Sequence, residues 1–187
     1  PKNPPSHEPT LVFTRMLSGP MDFTPGIVSL MGRGQSPIPS TLARQLALYA
    51  VLYSPVQMVA DLPENYAKHP EAFQFIKDVA VDWEQTRVLN GEVGSYVTIA
   101  RQARGSQEWF LGSITDEQGR LLSVPLSFLQ PGRSYEAQIY RDGGGAHWRD
   151  APFKFTVETR RVTSADTLEI KLAPGGGQAI RFVPTGG

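Results

Sequence analysis

The sequence runs to 187 residues, of which 40% are hydrophobic and 19% charged, with 18 Lys plus Arg balancing 18 Asp plus Glu and no cysteine. That length accommodates one ordinary domain or two small ones, and the composition fits a packed core rather than general disorder. Zero net charge argues against a nucleic-acid binder or a polybasic membrane-surface protein, both of which need a positive excess, and the lack of cysteine excludes disulfides and thiolate metal sites.

The chain opens at Pro1 without a methionine and reads as an interior cut, so the lack of a visible signal peptide carries no weight on localisation. No apolar run approaches the roughly 20 residues needed to span a bilayer. In the first 39 residues, "TLVFTRML" reads as a short strand, followed by breakers at Gly19-Pro20 and Pro25-Gly26 and then by "IVSLM". From Ser40 to about Val79 the pattern is helical. Ser40 or Thr41 can cap a helix through "LARQLALYAVLYS", which is apolar on most sides and therefore expected between packed layers. Pro63 and Pro70 then punctuate one or two shorter helices.

Beyond Val81 the period changes. Short alternating segments, among them "SYVTIAR", "EWFLGSIT", "SYEAQIYRDG" and "FKFTVETR", are separated by turn signals such as Pro131-Gly132 and Asp142 to Gly145. About seven such strands predict an antiparallel sandwich. "LEIKLAPGGGQAIRF" reads as its closing hairpin, with the glycines supplying the turn. The boundary is expected near Asp82 to Gly94. Strands followed by a buried helix are α/β grammar, but 80 residues are far short of the roughly 250 that close a (β/α)8 barrel. If residues 1 to 81 are barrel sequence, they are the tail end of one, ahead of an all-β domain over 82 to 187.

The stretch "LVFTRMLSGPMDFTPG" resembles glycoside hydrolase family 97, calcium-dependent α-glucosidases and related α-galactosidases. So do "STLARQLALYAVLYSPVQMVADLPENY", the run from "FQFIKDVAVDWEQ" to "GSITDE", "YEAQIYRDG" and "LAPGGGQAIRF", in the same order. The resemblance implies an N-terminal β-sandwich, a catalytic (β/α)8 barrel and a C-terminal β-domain, with only the barrel's tail and the last domain present here. It implies an α-glucosidase acting on starch-derived oligosaccharides, with an α-galactosidase as the alternative, calcium as cofactor, and a periplasmic or secreted location. The part of the barrel upstream is then the missing partner. The isolated chain is expected to be inactive, and to self-associate or be partly disordered over residues 1 to 80, through faces meant for that barrel.

Glycoside hydrolysis takes two carboxyl groups flanking the scissile bond. The resemblance places the general acid just ahead of "FTRML", where Glu8 is the one carboxylate, stiffened by Pro4-Pro5 and flanked by His7. Glu8 is therefore the candidate acid and a candidate calcium ligand, since calcium takes hard oxygen ligands. His7 is the candidate for hydrogen-bonding a sugar hydroxyl or orienting Glu8. The second carboxylate lies outside the chain, so the stereochemical outcome is open. Arg15 and Asp22 are candidates to pair across the Gly-Pro turn. The aromatic residues of the second half, Trp83, Trp109 and Trp148 with Tyr96, Tyr135 and Tyr140, invite a sugar-platform reading, against the commoner role of core or interface anchor. Of these, Trp148 is the best placed for exposure. The rival from another class is a non-catalytic sandwich module for carbohydrate binding or packing, which would have no need of the buried helix 42 to 53.

Overall fold

In the computed structural model the described residues are 3 to 32, 34 and 36 to 186. The predicted strand at 10 to 17 is not one. His7–Val12 form a short helix, α1, followed by a 3-10 turn over Arg15–Ser18. The reason lies in local bonding: the His7 amide reaches back to the Pro4 carbonyl at 2.9 Å, and the Thr10 and Thr14 hydroxyls each bond the carbonyl four residues earlier at 2.8 Å. A lone strand has no ladder partner, whereas a helical turn satisfies its own backbone. Nor do the described residues of the first third show the parallel pairing that strands of a (β/α)8 barrel would have. That region holds instead two-residue strands β1 (Met31–Gly32) and β2 (Ser36–Pro37), paired antiparallel.

The helical stretch is as the sequence reads. Helix α2 covers Leu42–Val51, with the Thr41 hydroxyl accepting from the Arg44 amide as its N-cap. Helices α3 (Pro63–Lys68) and α4 (Pro70–Asp78) each begin at a proline, where the missing amide hydrogen is no loss.

Eight strands follow: β3 (Trp83–Glu92), β4 (Tyr96–Ala103), β5 (Trp109–Thr115), β6 (Arg120–Pro125), β7 (Ser134–Asp142), β8 (Phe155–Thr163), β9 (Thr167–Leu172) and β10 (Gly177–Pro184). Six form one antiparallel sheet in the order β3-β4-β5-β10-β7-β8, and β6 pairs with β9 in a second. The predicted sandwich is present. The predicted closing hairpin is not: β9 joins the small sheet, while β10 inserts between β5 and β7. Burial explains the split. Residues of β9 alternate between exposed and buried, as suits an outer sheet, whereas β10 is buried on both faces through most of its length and takes a central position.

The large sheet carries a core on each face. One is shared with the helices, through Val97, Ile99, Phe110, Ile114 and Tyr140 against Leu46, Val51 and Phe75. The other lies under the small sheet, where Leu111, Ile139, Ile180 and Phe182 meet Val124, Leu168 and Ile170. Helix α2 comes unusually close. A Cβ on Gly112 would stand 2.3 Å from the Ala47 carbonyl, and one on Gly177 would stand 2.6 Å from the Arg44 Cα. These glycines make a shelf on β5 and β10 that only an unsubstituted backbone provides.

Candidate functional site

Glu8 lies in the first turn of α1, which turns it toward the first turn of α2. Its Oε2 accepts a hydrogen bond from Arg44 Nη2 at 2.8 Å, with the Glu8 side chain 22% exposed and that of Arg44 only 1%. The same guanidinium donates from Nη2 to the Pro5 carbonyl and from Nη1 to the Thr115 carbonyl. One arginine therefore joins the start of α1, the start of α2 and the end of β5. Alongside, the Ser6 hydroxyl faces Glu117 Oε1 at 3.4 Å, the Thr115 amide bonds the Gly176 carbonyl, and the Gly175 amide bonds the Asp116 carbonyl at 2.7 Å.

Beyond Arg44 lies a second carboxylate, that of Asp142 at the end of β7, only 5% exposed. Its Oδ2 accepts the Ala173 and Gly177 amides, each at 3.0 Å, and its Oδ1 has no partner among the described residues. Burial pushes its pKa up to about 6, against the lowering influence of the Thr41 hydroxyl, the two amides and the Arg44 charge.

The other candidates fall as follows. His7 is half-buried beside Glu8, and its ring makes no hydrogen bond among the described residues. Arg15 does not pair with Asp22. It folds onto its own turn, donating to the Gly19 and Pro20 carbonyls at 3.3 and 3.4 Å, because those carbonyls lie within one turn of the side chain. Trp83 and Trp109 are buried anchors, set edge-on to Phe110 and tilted on Phe128. Trp148 packs against Gly175, where a Cβ would come within 2.5 Å of the ring, and Arg149 sits 4.6 Å from its centroid. It helps to line a cavity of about 710 Å³ together with Pro4, Pro5, Glu117, Arg149 and Phe153.

For calcium, the described residues hold no group of three or more His, Asp or Glu that could bind a metal. Calcium takes six to eight oxygens. Glu8 Oε2 is engaged by the Arg44 guanidinium, and among the described residues Glu8 is not part of such a group. No helix among the described residues is long and apolar enough to cross a membrane.

Neither Arg44 nor Asp142 is a site candidate from the sequence. The signal for Arg44 is present in "TLARQLALYAV", a charge inside a helix apolar on most sides. Asp142 sits in "YRDGGG" and looks like an ordinary turn residue.

The chain thus lays a helix on the first sheet of an antiparallel sandwich, with the segment around Glu8 pinned against that helix. The family described as Glycosyl-hydrolase 97 C-terminal, oligomerisation matches residues 82–183. The chain belongs to glycoside hydrolase family 97. It is 50% identical to a family 97 enzyme from Pseudoalteromonas sp. strain K8, solved in complex with acarbose, with a TM-score of 0.94 over 98% of this chain and 29% of that one. It is 37% identical to the retaining alpha-galactosidase of Bacteroides thetaiotaomicron over 91% of its length. With a probable retaining alpha-galactosidase of Streptomyces bingchenggensis the figures are 31% and 95%. The chain spans about a quarter of each of these curated relatives, 26% in both cases.

Proposed function

We propose that this chain is the C-terminal portion of an α-glycosidase, with the tail of the catalytic barrel over 1 to 81 and the sandwich domain over 82 to 187. In this reading the complete protein is an α-glucosidase that hydrolyses α-glucosidic bonds in starch-derived oligosaccharides. The observation that carries it is the 50% identity to an enzyme that binds acarbose, and the same enzyme has been solved with panose. The α-galactosidase alternative rests on the names of relatives that are 37% and 31% identical. A missing barrel also accounts for the large apolar side chains standing exposed in the first third: Leu17, Met31, Val56, Met58, Val59 and Leu62.

Glu8 is the carboxyl group this chain contributes to the reaction. As general acid it would give its proton to the leaving glycosidic oxygen, while a second carboxylate outside the chain supplies the base or nucleophile. Because Oε2 is engaged by Arg44, that role requires the pair to part or the other oxygen to act. Calcium, held largely by carboxylates elsewhere in the complete protein, would supply electrostatic stabilisation. His7 is placed to orient Glu8 or meet a sugar hydroxyl.

The test uses the complete protein with p-nitrophenyl α-glucoside and α-galactoside. A higher kcat/KM for the glucoside is expected, and the reverse preference would overturn the glucosidase reading. Glu8→Gln should lower kcat by about 10²- to 10⁴-fold. Wild-type kcat in that variant removes Glu8 from the chemistry. The 187-residue chain alone should turn over neither substrate.

A further inference from the structure

Strands β7 and β8 are neighbours in the large sheet, paired from Ser134 opposite Thr163 to Asp142 opposite Phe155. A hairpin of this kind needs a loop of about two to five residues. The chain instead runs from Gly143 to Lys154 before it returns, and connections of such length concentrate at binding sites. This one is stiff. The His147 amide donates to the Ala151 carbonyl at 3.3 Å and the Ala151 amide to the His147 carbonyl at 3.0 Å. The Arg149 amide donates to His147 Nδ1, and the Trp148 amide to the Pro174 carbonyl, each at 3.1 Å. One bond serves the helix: the Pro152 carbonyl accepts from the Leu42 amide at the start of α2. That bond explains Pro152 but not the side chains at the tip.

The tip sets out Trp148, Arg149 and Phe153. Trp148 is half-buried and backed by Gly175, where a side chain would collide with the indole. Phe153 is 46% exposed, and its ring lies 5.7 Å from that of His69 with only 3° between the planes. A single exposed phenylalanine is ordinary. Here two aromatic rings, each backed by protein, line one cavity of about 710 Å³, which they share with Asn3, Pro4, Glu117 and Arg149. The volume falls within the range of about 300–1,000 Å³ usual for small-molecule sites, and a mainly apolar wall with a few polar groups is their usual composition.

Those polar groups are one amide, one carboxylate and one guanidinium, so the rim offers donors and acceptors without net charge. A charged ligand would meet one partner and one opponent there. A neutral ligand with an apolar face and hydroxyls around its edge meets no such conflict, since its face packs on the rings and its hydroxyls reach the rim. A pyranose ring has those properties. Glu117 makes only a 3.4 Å contact with the Ser6 hydroxyl among the described residues, which leaves its carboxylate free to accept. Arg149 rests over the Trp148 ring at an exposed position, where such a contact is weak and easily displaced, and its fork is then free to donate.

We propose that the β7–β8 loop and the segment at Asn3 and Pro4 form a binding site for a neutral oligosaccharide, an α-glucan. Trp148 and Phe153 are its stacking surfaces, and Glu117 and Arg149 hold the sugar hydroxyls. The choice of an α-glucan among neutral glycans rests on the α-glucosidase reading given above.

The test is affinity electrophoresis of the complete protein in native gels cast with amylopectin or with galactomannan. Amylopectin should retard the wild type, and Trp148→Ala should weaken that binding by about tenfold. Phe153→Ala should act in the same direction and, lying at an exposed position, serves where the tryptophan variant does not fold. Arg149→Ala should give a smaller loss. No retardation of the wild type in either gel, or retardation unchanged in Trp148→Ala and Phe153→Ala, overturns the site. Retardation by galactomannan alone, lost in Trp148→Ala, overturns the assignment to an α-glucan. Hydrolysis of the two p-nitrophenyl glycosides is read separately. A glucoside preference without Trp148-dependent retardation overturns this site and leaves the glucosidase reading. A galactoside preference with Trp148-dependent retardation by amylopectin overturns that reading and leaves the site.

Discussion

Helix α2 has a buried arginine at each end, and the two follow opposite electrostatic rules. At the carboxyl end, Arg101 of β4 donates from Nε to the Ala50 carbonyl at 2.6 Å and from Nη1 to the Thr86 hydroxyl at 2.7 Å. Its guanidinium also lies 5.6 Å from the centroid of Tyr53. A cation that bonds the last carbonyls of a helix complements the dipole and satisfies orphan acceptors. Burial pushes the Arg101 pKa down to about 10, which still leaves it charged at neutral pH. At the amino end, Arg44 opposes the dipole and spends its side-chain donors on other segments. Arg101 is explained by the helix it caps. Arg44 is explained only by what it holds in place.

The most damaging way to probe this arrangement is to lift the helix off its shelf. In Gly112→Ala the new methyl would meet the Ala47 carbonyl at 2.3 Å and Val51 Cγ2 at 2.9 Å. Because the nearest obstacle is backbone, the strand or the helix must shift, and a loss of about 3 kcal/mol or more is expected. Gly177→Ala acts under the other end, at the Arg44 backbone, and should in addition loosen α1. Urea midpoints of the two variants give the losses, and amide exchange separates them. Equal effects on α1 would mean that the amino end has no special connection to it.

How far this geometry is legible in the sequence differs between the two ends and between strands. Helix α2 and the proline-started helices are plain, because capping and apolar periodicity are local properties. Strand β3 is invisible: "WEQTRVLNGE" has no alternation, since an edge strand exposed on both faces over Glu84 to Val88 answers only to its neighbour β4. The closing hairpin fails for a related reason, because a turn-rich "APGGG" fixes where the chain bends but not which sheet the next strand enters. Glu8 is a candidate in the sequence by family resemblance, whereas its ion-pair partner Arg44 is 36 residues away and could be paired with it only in three dimensions. Asp142 looks like a turn residue until the Ala173 and Gly177 amides close over it.

Asp142 provides a second contrast between the ends, since Arg44 has a buried carboxylate behind it. The folded-state pKa of about 6 lies above the unfolded value, so the stabilising contribution of the protonated carboxyl is complete at low pH and is lost as pH rises through about 6. Between about pH 4 and 6 this is worth up to about 3 kcal/mol. Asp142→Asn removes that slope, so its stability relative to wild type should rise across the same window and level off above it. Denaturant unfolding at pH 4, 5, 6 and 7 would show this. A constant difference across that range would mean that Asp142 ionises as freely in the folded chain as in the unfolded one. In Arg44→Met the neighbouring positive charge is gone, and the window should move to higher pH.

The smallest effect is expected from Arg101→Lys, and it is the sharpest test of the contrast. A lysine at position 101 can still reach the Ala50 carbonyl and keeps a cation at the favourable end of the helix. It cannot hold the Thr86 hydroxyl at the same time. Losing one of two bonds should cost about 1 kcal/mol, seen as a modest fall in the urea midpoint. If Arg101 is a cap and no more, α1 should exchange as in the wild type, because the loss stays at the end of α2 remote from Pro5 and Glu8. Arg44→Lys makes the same chemical change at the other end and should release α1. If both variants loosen α1 alike, the helix transmits the disturbance as a rigid rod. The segment at residues 5 to 8 is then held by the position of α2 as a whole rather than by the arginine that touches it.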